Sequence, residues 1–410
     1  MLLICTVVAL LWANSPLSSG YKNLWQTKLT IGIGGFVLTK PLLLWINDGL
    51  MAIFFFVVGL EIKREVLVGE LASFKKAILP IVAAVGGMVL PALIYVIFNL
   101  GGSGMSGWGI PMATDIAFAL GVLALLGESV PLSLKVFLTA LAIVDDIGAV
   151  LVIALFYTAE IVWVNLAIAA GFLFLLMIVN RLRVRHPLVY MILGIGLWLA
   201  FLKSGVHATI AGVLLAMTIP SKARINCQEF VEHSRAILND LEIASACQGD
   251  INEAQQAALQ ALEKTVQYAE APLQRIEHTL HPWVSYLIIP IFPLANAGVT
   301  FDNGVSSALT HPISLGIAAG LILGKQLGIS SMVWLAVKSK LSDLPSGVTW
   351  QQIYGASWLA GIGFTMSLFI ASLAFGDTPL LSISKVGILA ASLIAGVVGW
   401  AILRSTKPSP

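Results

Sequence analysis

Apolar runs of about twenty residues, the length that carries a helix across a bilayer, follow one another along most of this chain. Four strongly ionisable residues sit deep inside them, away from the ends: Asp115, Asp145, Asp146 and Lys325. No other feature constrains the fold as much. A charge at mid-bilayer costs roughly 2.5–3.5 kcal/mol, so four facing lipid would cost on the order of 10 kcal/mol. Such groups are kept where they pair, titrate or bind a solute. A buried acidic cluster with one lysine is therefore first of all a cation and proton site. His207, near a segment end, is a fifth ionisable residue.

Twelve apolar segments are predicted, at about 1–13, 42–60, 77–100, 108–127, 132–157, 161–180, 187–202, 205–220, 283–300, 312–337, 352–375 and 383–404. Only 11% of the residues are charged, against about 25% in soluble proteins. The runs lack strand alternation, so the expectation is an all-α polytopic membrane protein, not a barrel. It forms one transmembrane domain over 1–410. The first run is short, ends at Asn14-Ser15-Pro16 and lacks the basic start of a signal peptide. It reads as a first helix without its N-terminal residues. Cys5, Cys227 and Cys247 make no disulfide framework. A net charge of +2 implies no nucleic-acid partner.

Lys and Arg collect in short cytoplasmic loops. With both termini cytoplasmic, seventeen of the 23 fall in inner loops and five in outer loops, and Lys325 lies in the membrane. Loop 14–41 is then external, with room for a small hairpin. Loop 221–280, between segments eight and nine, is long and cytoplasmic. Residues 228–277 hold nine acids against three bases and are rich in helix formers. A break at Gly249-Asp250 divides them into two short amphipathic helices. The loop reads as a solvated appendage, with a regulatory or partner-binding element as the alternative.

Two segments interrupt themselves. In the fourth, Pro111 removes a helical N–H just before Thr114 and Asp115. In the eleventh, Gly361 and Gly363 weaken the helix beside Thr365 and Ser367. Unpaired backbone at that depth is tolerated only where it is buried or lines a cavity. Segment four is the middle of helices 3–5, and segment eleven the middle of helices 10–12. Two three-helix units seven helices apart have opposite orientation. The expected architecture is an inverted repeat whose interrupted helices, 4 and 11, cross at the substrate site.

Asp145 and Asp146 are consecutive on segment five, so their side chains point about 100° apart. One faces the cavity and the other a protein partner. Na⁺ and Li⁺ are hard cations that take oxygen ligands. The carboxylates, the Thr114 hydroxyl and freed carbonyls supply them, and protons compete for the same oxygens. A site that carries either cation or protons, never both, is enough for exchange. Lys325 has three open roles: a fixed counter-ion, a group that loses its proton when sodium enters, or a balance for the interrupted helix ends. His207 reads as a structural residue or a pH-sensing one. Asp48 opens segment two, and Glu61, Lys63, Arg64 and Glu65 close it as an ion-pair cluster. Glu277, His278 and His281 precede segment nine on the same side, completing a titratable belt at the inner mouth.

Several of these residues lie in runs that resemble the bacterial NhaA-type sodium/proton antiporter family, in that family's order. The runs are Asn47 to Glu65, Ala113 to Gly121, Asp145-Asp146, Ser204 to Thr209, Glu277 to Trp283, Gly324-Lys325 and Gly361 to Ser367. That family is itself a type case of the inverted-repeat arrangement above. The resemblance implies Asp146 as the primary cation ligand, with Na⁺ at Asp146 and Asp145. It makes Asp145 the partner of Lys325 and puts Asp115 and Thr114 at the helix crossing. It assigns pH activation to Glu61, Arg64, Glu65, Glu277, His278 and His281. The implied protein is no enzyme. It is an electrogenic, pH-regulated exchanger of the bacterial inner membrane that exports sodium or lithium for two protons, for sodium and pH homeostasis. It needs no cofactor and dimerises through its external hairpin. Two departures are the loop at 221–280, longer than in compact members, and the short first helix. Two other readings fit less well. An intramembrane aspartyl protease would let Asp115 and Asp146 share a proton, but a Gly-x-Gly-Asp context is missing and Lys325 has no use there. A proton-coupled carrier of another small solute would need groups to recognise it, where this cluster offers oxygens and one ammonium.

Overall fold

A computed structural model describes residues 1–33, 36–127, 130–158, 160–245, 253–300 and 305–406. Helix α1 (Leu2–Ala13) is followed by α2 (Ser18–Gln26), bent back by 112°. The external segment expected as a loop with a small hairpin thus contains a helix as well. The hairpin follows at once: strands β1 (Lys28–Ile33) and β2 (Phe36–Pro41) pair antiparallel, from Lys28 opposite Pro41 to Ile33 opposite Phe36. The chain continues through α3 (Leu42–Leu67), α4 (Phe74–Asn99), a 3-10 segment (Met105–Met112), α5 (Ile116–Leu125), α6 (Leu132–Phe156), α7 (Trp163–Arg181), α8 (Pro187–Leu202) and α9 (Ile210–Thr218). Two amphipathic helices, α10 (Cys227–Ser245) and α11 (Glu253–Ala269), occupy the long loop as expected. The Gly249-Asp250 break and Cys247 lie outside the described residues. Then come α12 (272–296), α13 (Val305–Thr310), α14 (Pro312–Lys338), α15 (Trp350–Ala360), α16 (Phe364–Phe375) and α17 (Pro379–Ser405).

Among the described residues, seven helices are long and apolar enough to cross a membrane, or nine if each bent pair counts once. Helix α12 begins at Pro272, eleven residues before the boundary expected at 283. Its first three turns are amphipathic, so they are invisible to a search for apolar runs, and Pro272 supplies a favourable first helical residue.

Depth of burial divides the helices. Every residue from Phe364 to Ala371 is buried, as expected of a helix apolar on all sides and enclosed by others. Helix α7 buries only Ala169 and Leu176 and leaves the rest of its apolar surface outward, as a lipid-facing helix does. Helices α4 and α14 cross where Gly86 meets Gly328, and a Cβ on either glycine would collide with the other's carbonyl oxygen. Gly324 likewise leaves room for Pro91, and Gly320 for Pro111. Lipid gives helices no hydrophobic reason to associate, so close backbone approach through small residues takes that role.

Candidate cation site

Two helices and two helix breaks converge on the residues singled out by charge. The first break lies just past Pro111: the 3-10 segment ends at Met112, Ala113 to Asp115 are extended, and α5 starts at Ile116. The second spans Gly361 to Gly363, where α15 stops and α16 starts. Both glycines have ordinary negative φ, so left-handed backbone is not their purpose. A Cβ on Gly361 would sit 2.6 Å from the Leu321 carbonyl oxygen, and one on Gly363 would sit 3.1 Å from that of Ala113. They permit close approach, a role that helix propensity does not reveal.

The breaks complete each other's hydrogen bonds. Asp115 N–H donates to Ile362 O (2.6 Å), and Ser367 Oγ donates to Ile110 O (2.8 Å). The Asp115 carboxylate caps two helices at once. Oδ1 accepts from Phe118 N–H (3.0 Å) at the start of α5; Oδ2 accepts from the N–H (3.0 Å) and hydroxyl (2.5 Å) of Thr365 at the start of α16. Both oxygens are thus occupied, which leaves Asp115 no part in a shared-proton pair with Asp146.

Helix α6 brings in Asp145 and Asp146, and α14 brings in Lys325 directly after a π-helical turn, Gly320–Gly324. Such turns recur at functional sites because they redirect the side chains that follow. Lys325 Nζ lies 2.5 Å from Asp145 Oδ2 and donates to Thr114 Oγ1 at 2.9 Å. The Thr114 hydroxyl reaches Asp145 Oδ2 (2.6 Å) and Ala360 O (2.8 Å), and its single hydrogen serves one of them at a time. Asp145 therefore takes the protein partner. The other carboxylate stays uncommitted: Asp146 Oδ1 is buried without a hydrogen bond, as is Asp145 Oδ1. Among the described residues, no three of His, Cys, Asp and Glu gather around a metal position. The donors here are two carboxylates and neutral oxygens, a hard-oxygen set of low charge.

The family follows from the whole chain. The family model described as Na+/H+ antiporter 1 matches residues 1–403. The chain belongs to this family. A Na(+)/H(+) antiporter NhaA of Koribacter versatilis is 54% identical over 403 residues, covering 98% of this chain and 88% of that protein. One from Oleidesulfovibrio alaskensis is 53% identical over 408 residues, covering 98% and 90%. One from Bordetella parapertussis is 48% identical over 410 residues, covering 100% and 94%. The antiporter family is one of transporters, not enzymes, and its members exchange Na⁺ for H⁺ through a multi-pass membrane domain.

In this antiporter, the expected inner belt is assembled only in part. Arg64 lies 2.7 Å from Glu277, 3.4 Å from Glu65 and 3.9 Å from Glu61. Burial pushes the Glu277 carboxyl above the usual carboxylate range, while Arg64, His278 and His281 pull it back. His278 and His281 themselves are exposed. Among the described residues Lys63 has no ion-pair partner: its ammonium donates to the carbonyls of Met217 (2.6 Å) and Ile219 (2.5 Å), closing the C-terminal end of α9. His207 stands apart from the belt. Its ring meets Phe369 edge-on, its Nδ1 has no hydrogen bond, and its charged neighbours are Asp48 and Lys40 at the other end of α3. Asp48 itself pairs with Lys40 at 2.7 Å.

Sequence reasoning passed over one buried pair. Asn47 and Asn296 exchange hydrogen bonds of 2.9 and 3.3 Å and tie α3 to α12. The signal was present, because an amide inside an apolar segment needs a partner for the same reason that a charge does.

Proposed function

We propose that this protein is an electrogenic, pH-regulated Na⁺/H⁺ antiporter that exports Na⁺ and Li⁺ from the cytoplasm, taking in about two protons per cation. Its place is the bacterial inner membrane, with both termini and the 221–280 loop cytoplasmic. The transmembrane domain, over 1–410, has twelve spans, with inverted repeats at helices 3–5 and 10–12 and the interrupted helices 4 and 11 crossing at the site. The reciprocal contact of Gly86 with Gly328, on the first helix of each repeat, supports that symmetry, since a two-fold relation makes each partner meet the other's equivalent. A homodimer built on the β1–β2 hairpin completes the reading.

The observation that carries the proposal is Asp146. A buried carboxylate oxygen without a partner, beside an Asp145 already held by Lys325 and Thr114, is the group most open to a transported ion. Na⁺ binds at Asp146 with Asp145, and the same oxygens take protons when it leaves. Asp115 and Thr114 hold the two breaks in place around it, with Pro111, Gly361, Gly363 and Thr365 shaping the backbone. Glu61, Arg64, Glu65, Glu277, His278 and His281 tune the response to pH, and His207 acts from the opposite end. No cofactor takes part.

Everted vesicles loaded with a pH-sensitive dye test this directly. Na⁺ and Li⁺ should each move protons, and K⁺ should not. Two protons against one sodium carry one positive charge inward, so 100 mV supplies about 2.3 kcal/mol, worth roughly a fifty-fold extra sodium gradient. An end point unmoved by an imposed potential would overturn the electrogenic exchange.

A further inference from the structure

Helices α10 and α11 form an antiparallel hairpin closed at its base. The N–H groups of Arg224 and Ile225 donate to Tyr268 O (2.8 and 3.3 Å), the Arg224 guanidinium lies 4.4 Å from the Tyr268 ring centroid, and Leu273 N–H donates to Pro220 O (3.2 Å). The half-buried or buried residues Phe230, Ile237, Ala258 and Thr265 mark each helix's inner stripe. On each helix the next residue is an exposed apolar one: Val231, Leu238, Leu259 and Val266 are 39–47% exposed. One residue is a rotation of about 100°. Because the two helices run in opposite directions, the same sense of rotation brings both pairs to one face of the hairpin. Glu242 and Glu263, both exposed, lie on that face with Arg235, and exposed Glu232 lies at its edge. No ion pair between side chains forms there among the described residues.

A groove of opposite character lies at the same end of the molecule, between α7, α9 and the hairpin stem. Its volume is about 790 Å³. Arg181, Arg183, Arg185, Lys222 and Arg224 rim it, over an apolar floor that includes Met177. None of these cations has a carboxylate partner among the described residues. Acidic-apolar face and basic-apolar groove are complementary in both charge and hydrophobicity, yet among the described residues no ion pair joins them within one chain.

We propose that the acidic hairpin of one copy docks on the basic groove of a second copy, giving a two-fold contact at the end of the protein opposite the β1–β2 strands. In such a dimer each chain offers both surfaces, so the complementarity is used twice. Hairpin-to-hairpin association would instead bring two acidic surfaces together. The bilayer is a poorer home for the hairpin face, since anionic headgroups repel acids.

The test uses the full-length chain with Cys5, Cys227 and Cys247 replaced by Ser. One tagged population carries Leu238→Cys and a second carries Met177→Cys, so a bismaleimide bridge between them is intermolecular by construction. We expect a bridged dimer in native membranes. Its yield should fall about tenfold when Glu232→Lys and Glu242→Lys are added to the first population, through like-charge contact, and recover when Arg181→Glu and Lys222→Glu are added to the second. Sodium-driven proton movement in each variant certifies folding. The proposal is overturned by no bridge although both cysteines react with monofunctional maleimide. It is overturned equally by a yield indifferent to the charge reversals, or by a bridge that appears only after anionic lipid is removed.

Discussion

Removing either member of the Asp145–Lys325 pair should damage the protein more than removing both. The two charged atoms are 2.5 Å apart and neither side chain has any exposure. Cutting one partner from a buried pair costs about 3–5 kcal/mol, because the other charge is stranded without water. Thr114 cannot take over, since its one hydrogen is already shared between Asp145 and Ala360 O. Asp145→Asn and Lys325→Met should thus each lose about 3–5 kcal/mol, and independent effects would add to about 6–10 kcal/mol. The double variant strands nothing and should be no less stable than the better single one. The coupling is then several kcal/mol. Reversible unfolding by dodecyl sulfate in mixed micelles, followed by tryptophan fluorescence, measures all four proteins. Losses that simply add would refute the pairing argument.

Other consequences are equally open to measurement. Asp146→Asn should insert normally and abolish sodium-driven proton movement, because it removes the one carboxylate left free for the ion; wild-type rates would sink that assignment. Arg64→Gln removes the strongest pull keeping Glu277 ionised, so that carboxyl should titrate still higher, and the activation midpoint should move to more alkaline pH. A midpoint that stays put or falls would separate Glu277 from activation. Deleting 228–267 while sparing Arg224 and Tyr268 should preserve exchange. Loss of transport in a properly inserted deletion variant would show that the hairpin belongs to the transport machinery. Gly328→Ala should destabilise by about 1–3 kcal/mol, because its Cβ has nowhere to go but into the Gly86 backbone; a neutral effect would mean that the crossing can widen freely.

Much of this was legible before any coordinates. The apolar runs located α3, α4, α6, α7, α14 and α17 because each contains a long, nearly uncharged stretch. Pro111 and the Gly361–Gly363 pair marked the breaks to within a few residues. Hydropathy was blind to α2 and to the first turns of α12, whose polar faces resemble loop. What each breaker does was also hidden. Gly361 answers to a carbonyl on α14, a residue forty positions away, and Asp115 answers to a helix that begins 249 residues later. Local propensity carries no information about such partners. Lys63 shows the same limit: its neighbours in sequence are acids, but its ammonium belongs to the end of α9.

The two breaks place four helix ends together, two starts and two stops. Each start carries about half a positive charge and each stop about half a negative one, so the ends cancel. The formal charges do not: Asp115, Asp145 and Asp146 stand against Lys325, leaving two net negatives. Two protons neutralise the site, and one sodium ion leaves it singly negative. An unloaded site keeps both, and each unpaired charge carried through the apolar core costs roughly 2.5–3.5 kcal/mol. Reorientation without cargo is then the most expensive move on the cycle. Under the proposed exchange, tight coupling needs no separate latch, because the carrier's own surplus of charge discourages it from returning empty.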